Sequence, residues 1–168
     1  MWSVKRIGLV LFLVVYALVG ANAHAAIEVG EKLPDLSDFG LEGEIPDLDG
    51  KVVLVDVWAS WCAPCKASFP AFDALHRSQE REGLVILAVS VDRKESAYQK
   101  FLQRMEPVFA TVRDGQQKLV AELSPPAMPT SYIFGRDGRL RSVHKGFHGE
   151  RTVDELTAEI STLLKEDA

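Results

Sequence analysis

Lys51-Val52-Val53-Leu54-Val55-Asp56-Val57-Trp58-Ala59-Ser60-Trp61-Cys62-Ala63-Pro64-Cys65-Lys66 is the stretch on which the reading of this chain turns. Its first half, Lys51 to Trp58, is an apolar, β-branched run and reads as a buried central strand. Its second half turns into a helix expected to reach about Arg81, with Phe69, Phe72, Leu75 and His76 on one side. Pro70 lies inside that helix and should kink it. Cys62 falls at the helix N-terminus, where unpaired backbone N–H groups and the macrodipole favour an anion. That lowers a thiol pKa and supplies the thiolate, the nucleophilic form. Cys65 lies one turn further in, within reach of any disulfide formed on Cys62. Pro64 suits the first turn, where its missing N–H costs nothing.

The chain has 168 residues, the size of one domain with a real core, and a net charge of -5. A nucleic-acid binder would need a basic face, so nucleic acid is not an expected partner. Residues 1–25 stand apart. Lys5 and Arg6 precede the apolar run Ile7 to Gly20, and Ala21-Asn22-Ala23-His24-Ala25 offers small-x-small cleavage after Ala23 or Ala25. This is the layout of a secretory signal peptide. The alternative is an uncleaved membrane anchor, although the run is shorter than the ~20 residues of a spanning helix. Residues 26–168 are the expected folded domain, and membrane contact is expected only through residues 1–25.

Cys62 and Cys65 are the only two cysteines. A pair this close cannot staple distant elements, and its loop is too small to restrict the unfolded chain much. Structural zinc needs four ligands, and His76, His144 and His148 have no finger-like spacing to the pair. A c-type haem needs histidine directly after the second cysteine, where Lys66 stands. Copper delivery by the two thiols with His144 or His148 remains as an alternative. No metal or other cofactor is otherwise expected.

Beyond Gly83 the pattern continues. Leu84 to Val91 reads as a second buried strand, and Lys94 to Met105 has helical spacing at Tyr98, Phe101, Leu102 and Met105. Pro107 to Val112 reads as a short strand and Gln116 to Leu123 as a short helix. A Pro-rich break follows at 124–129. Thr130 to Phe134 is a strong strand, Arg136-Asp137-Gly138 a hairpin turn and Leu140 to Lys145 the partner strand. Thr152 to Lys165 is an amphipathic helix with Val153, Leu156, Ile160, Leu163 and Leu164 inward. Residues 27–50 read as irregular, with one or two short edge strands. The expected class is α/β: a mixed central sheet flanked by helices on both faces.

Two further residues carry signals. Asp56 places a carboxylate in an apolar central strand, which is costly and should raise its pKa. Trp61 reads as an exposed apolar platform beside Cys62, whereas Trp58 reads as core.

Residues 53–66, with Met128-Pro129-Thr130 before a strand and Gly138 and Gly146 around the following hairpin, resemble the thioredoxin superfamily. The signal segment and the extra helix at 94–105 look most like the TlpA/ResA/CcmG branch, bacterial envelope thiol–disulfide oxidoreductases. The resemblance covers roughly residues 27–165. It implies a thioredoxin fold with an N-terminal extension and a helix inserted after the second central strand. It also implies that Cys62 attacks a protein disulfide and Cys65 resolves the mixed disulfide. By the same resemblance Pro129 is cis beside Cys62, and Met128 offers a backbone edge to an extended substrate. Trp61, Ala63 and Pro64 complete the substrate-binding surface, and Asp56 serves proton transfer. The implied partners are protein disulfides or dithiols and a membrane electron donor, in the periplasm or cell envelope. Ala63-Pro64 holds no cation to stabilise a thiolate strongly, which favours a reductant over a disulfide-donating oxidant. A thiol peroxidase would carry Thr or Ser where Ala59 stands. The chain departs from the cytochrome-maturation reductases near Asp92-Arg93-Lys94-Glu95, where Arg93 occupies the position of their glutamate.

Overall fold

The computed structural model describes residues 26–166. The elements run β1 (Val52–Trp58), α1 (Ala63–Gln79), β2 (Leu84–Ser90), α2 (Glu95–Met105), β3 (Ala110–Arg113), α3 (Lys118–Leu123), β4 (Thr130–Phe134), β5 (Leu140–Lys145) and α4 (Glu150–Leu163). The strands form one sheet in the order β3-β2-β1-β4-β5. β1, β2 and β3 are parallel, β4 runs antiparallel to β1, and β5 runs antiparallel to β4. Parallel neighbours need crossover helices, which α1 and α2 supply on one face of the sheet.

β1 sits mid-sheet, and all its side chains are buried. A strand covered on both faces has no use for polar alternation, which explains the unbroken apolar run. One face is closed by an aromatic cluster. Trp58 packs its ring 4.8 Å from Phe69 of α1 and 4.4 Å from Phe101 of α2. Phe109 stands 5.2 Å from Phe69. Such pairs add about 0.5–1.5 kcal/mol each beyond burial, and here they fasten the inserted α2 to α1.

Several boundaries differ from expectation. β3 begins at Ala110, not Pro107, because the chain before it is committed elsewhere. The Val108 N–H donates to Asp73 Oδ1 at 2.9 Å, and Phe109 enters the aromatic cluster. α3 begins only at Lys118, since Gln117 is left-handed (φ 57). Asp114 accepts from the Lys118 and Val120 N–H groups at that end. α4 begins at Glu150, and Val153 is only half-buried; Thr152 is buried instead, its hydroxyl accepting from the His148 N–H at 2.9 Å. α1 stays helical through Pro70, which lies on its exposed side.

The segment before β1 forms no regular strand. A short 3-10 turn at Leu36–Phe39 tucks Leu36 into the core. Single antiparallel bridges join Lys32 to Arg139, next to β5, and Glu42 to Arg113 on β3. β3 and β5 are the two edges of the sheet, so one strap occupies a pairing position at each. The Glu42 carboxylate accepts three contacts from the Arg113 guanidinium, from Nε at 3.1 Å and from Nη2 at 2.6 and 2.5 Å. Residues 1–25, expected to be a signal peptide or anchor, lie outside the described residues. Among the described residues no helix is long and apolar enough to cross a membrane.

Candidate active site

β1 ends at Trp58, and the chain turns through Ala59-Ser60-Trp61 into α1. The Cys62 N–H donates to the Ala59 carbonyl at 3.1 Å, which closes the turn. Cys62 is the N-cap of α1 with extended backbone (φ -81, ψ 113). Its sulfur accepts the Cys65 N–H at 3.3 Å. One N–H left free by the helix start, that of Cys65, therefore aims at Cys62 Sγ, where it would stabilise a thiolate after reduction. Cys62 and Cys65 form a disulfide with Cα atoms 5.3 Å apart. Cys62 is 5% exposed and Cys65 fully buried, so Cys62 is the more accessible of the pair. Ala63 and Pro64 are exposed beside them, and Trp61 is 68% exposed.

The Met128–Pro129 peptide bond is cis. Thr130 pairs with Val57, which sets Pro129 at the end of β1 from which the cysteine turn departs. The Pro129 carbonyl accepts the Gly146 N–H at 2.8 Å, and Thr130 Oγ1 donates to the Ala127 carbonyl at 2.8 Å. Met128 is half-buried and Pro129 buried.

Asp56 shares a face of β1 with Trp58, and Trp58 packs on α1, so the carboxyl faces the cysteine helix. It is completely buried. Ser131 Oγ donates to Oδ1 at 2.7 Å, and Oδ2 has no partner among the described residues. Burial pushes its pKa up to about 7 against the opposing Ser131 bond. The paired β2 position is Ala88, so no cation sits across the ladder to hold the charge.

Three further parts of the site were not legible in the sequence. Asp92 accepts from both the Ser60 N–H and the Ser60 hydroxyl at 2.9 Å, tying the loop after β2 to the turn before Cys62. Ser131 is the partner of Asp56. Phe147 packs 6.4 Å from Phe72 of α1 beside the loop after β5. Only strand register reveals the first two; nothing local in the sequence marks them. His144 is not a free surface group, since its Nε2 lies 2.9 Å from Glu159 of α4. Among the described residues no group of three or more His, Cys, Asp or Glu side chains is set to hold a metal.

Against known proteins, the thioredoxin-like family profile matches residues 50–140, from just before β1 to the turn of the β4–β5 hairpin. The chain belongs to the thioredoxin-like family. Among its relatives is the thiol-disulfide oxidoreductase ResA of Oceanobacillus iheyensis, 30% identical over 154 residues, covering 85% of this chain and 78% of the relative. ResA of Bacillus cereus is 29% identical and covers 77% of this chain and 75% of its own. Among solved structures, one from Chlorobium tepidum described as a thiol:disulfide interchange protein DsbE superposes with a TM-score of 0.76. It is 30% identical and covers 83% of this chain and 99% of that one. StoA of Bacillus subtilis, at 21% identity and a TM-score of 0.60, shares the fold. This thioredoxin-like chain is thus a thiol–disulfide oxidoreductase by family, with Cys62 and Cys65 as its cysteine pair.

Proposed function

We propose that the protein reduces disulfides in exported proteins of the bacterial envelope. The observation that carries this reading is Cys62 capping α1 with the Cys65 N–H bonded to its sulfur. In the reduced protein the Cys62 thiolate attacks one sulfur of a substrate disulfide, and the other substrate sulfur leaves as a thiolate. Asp56 takes the proton of Cys65. The Cys65 thiolate then attacks Cys62 Sγ, frees the second substrate thiolate and closes the internal disulfide. Two electrons pass from the protein dithiol to the substrate. Trp61, Ala63 and Pro64 would receive the partner, with Met128 and cis-Pro129 presenting backbone to it.

The direction rests on Ala63-Pro64, which brings no charge between the cysteines. A more stable thiolate would favour the reduced form and make an oxidant. A reductant in an oxidising compartment must be recharged, here by a membrane electron donor. Residues 1–25 would export the chain or anchor it. Equilibrating the pair against a thiol buffer tests the direction. A potential near ~-270 mV supports the reductant, and one near ~-120 mV makes the protein a disulfide donor instead. N-terminal sequencing of protein recovered from envelope fractions tests export and cleavage after Ala23 or Ala25.

A further inference from the structure

Beside the cysteines lies a hollow of about 300 Å³, walled by Trp61 on one side and by the start of α2 with the loop before it on the other. Its apolar parts are Trp61, Val91 and Ala97; its polar rim is Arg93, Lys94 and Gln117. The rim is rigidly held. Asp92 binds the Ser60 N–H and hydroxyl, fixing the loop to the turn that carries Cys62. Arg113 donates to the carbonyls of Asp92 and Arg93 at 3.3 and 3.1 Å. Gln117 donates to the Val91 carbonyl at 3.2 Å and accepts from the Arg93 guanidinium at 3.4 Å.

The charges at this rim are unbalanced. Arg93 and Lys94 are exposed, and neither ion-pairs with a carboxylate among the described residues. The one acid of the lining, Asp92, is 3% exposed, and both its oxygens are taken by Ser60 and Ser90 donors. Glu95 follows in sequence but does not line the hollow. A chain of net charge -5 thus presents two exposed cations without an ion-pair partner, against one buried carboxylate, beside an exposed indole that directly precedes Cys62.

We propose that this hollow binds an aspartate or glutamate side chain of the partner protein, on the segment flanking the disulfide that Cys62 attacks. The carboxylate meets Arg93 and Lys94, while the stem lies on Trp61 and Ala97. The inference rests on the thiol–disulfide exchange proposed above and names the class of substrate that this exchange favours. Electrostatic complementarity of this kind acts on encounter rate and partner choice more than on bond chemistry.

The test uses the reduced protein and synthetic peptides, each carrying one cysteine in a mixed disulfide with neutral 2-thiopyridine. The peptides differ only in flanking Glu, Gln or Lys. Attack by Cys62 expels 2-thiopyridone, whose absorbance gives the rate, and Cys65 then releases the peptide thiol and leaves the Cys62–Cys65 disulfide. All rates are divided by the rate of the same variant with hydroxyethyl disulfide. Glu peptides should react about three- to tenfold faster than Gln peptides at low ionic strength, since exposed ion pairs are weak. Salt should erase the difference. The double variant R93E/K94E should reverse the order, favouring Lys peptides. Equal rates for Glu and Gln peptides, or a Glu preference that survives R93E/K94E, overturn the acidic subsite. Failure to reduce hydroxyethyl disulfide or any peptide overturns the exchange activity itself, a distinct outcome.

Discussion

Ser131 and Asp56 face each other directly across the β4–β1 ladder, and among the described residues the serine hydroxyl is the single donor to a fully buried carboxyl. The bond favours the ionised form, while burial disfavours it more strongly. Ser131→Ala should therefore raise the Asp56 pKa above about 7, by about one unit. An infrared carboxyl titration reads this directly. The pH profile of the Cys65-dependent step should move upward with it, and an unmoved profile would separate Asp56 from that proton.

The same carboxyl makes stability depend on pH. Its folded pKa is about 7 against a reference of 3.8, so between these values the folded chain holds a proton that the unfolded chain has lost. Stability is therefore highest below about pH 4 as far as this group goes, and falls as pH rises through 7. Three units correspond to about 4 kcal/mol, an upper figure. Asp56→Asn removes the ionisation. Urea unfolding of the oxidised protein should show the variant similar to the parent near pH 4 and more stable by about 2–4 kcal/mol at pH 8.

The two cysteines should fail differently. Cys62→Ser should abolish reduction of any disulfide, because the accessible sulfur is gone. Cys65→Ser should keep the attack and lose the release, so a mixed disulfide with substrate accumulates. Non-reducing gels and intact mass report both. A stable adduct on Cys65 in Cys62→Ser would invert the assignment.

Gly43 holds the strap to β3 by having no side chain. Its φ is +125, and a Cβ there would stand 2.8 Å from the Thr111 carbonyl oxygen. Gly43→Ala should cost about 1–3 kcal/mol. Glu42→Ala leaves Arg113, nearly buried, with only backbone carbonyls to meet its charge. Its cost should be smaller, because Glu42 is half-exposed. In both variants hydrogen exchange at the Glu42 and Arg113 amides should quicken ahead of β1.

Trp61→Ala offers a contrast. The ring is 68% exposed, so stability should change by no more than about 0.5 kcal/mol. Rates with protein or peptide disulfides should fall. A large loss of stability would show that the indole serves the fold.

The legible parts of this molecule were those with a local signature. The apolar run 51–58, the turn into Cys62 and the periodicity at Tyr98 and Phe101 each reveal an element on their own. Asp56 stood out because a carboxylate in such a run is expensive. Ser131, Ser60 and Asp92 did not, since each matters only through a partner 32 or 75 positions away. The strap was half legible: Gly and Pro marked it as irregular, but only tertiary pairing turns Lys32 and Glu42 into edge contacts. β3 began late because Phe109 was drawn into an aromatic cluster that no short window contains.

Residues 30–33 of the strap are stitched to Gly138 and Leu140, beside the β4–β5 hairpin. That is the far end of the sheet from Cys62, separated from it by the length of β1, about 20 Å. The strap therefore joins the molecule at its heel, at the end of the sheet opposite the cysteine turn. Heel and toe are thus divided between two tasks: the hairpin end holds the strap, and the opposite end is left clear around Cys62, where the exposed Trp61, Ala63 and Pro64 stand in front of the disulfide.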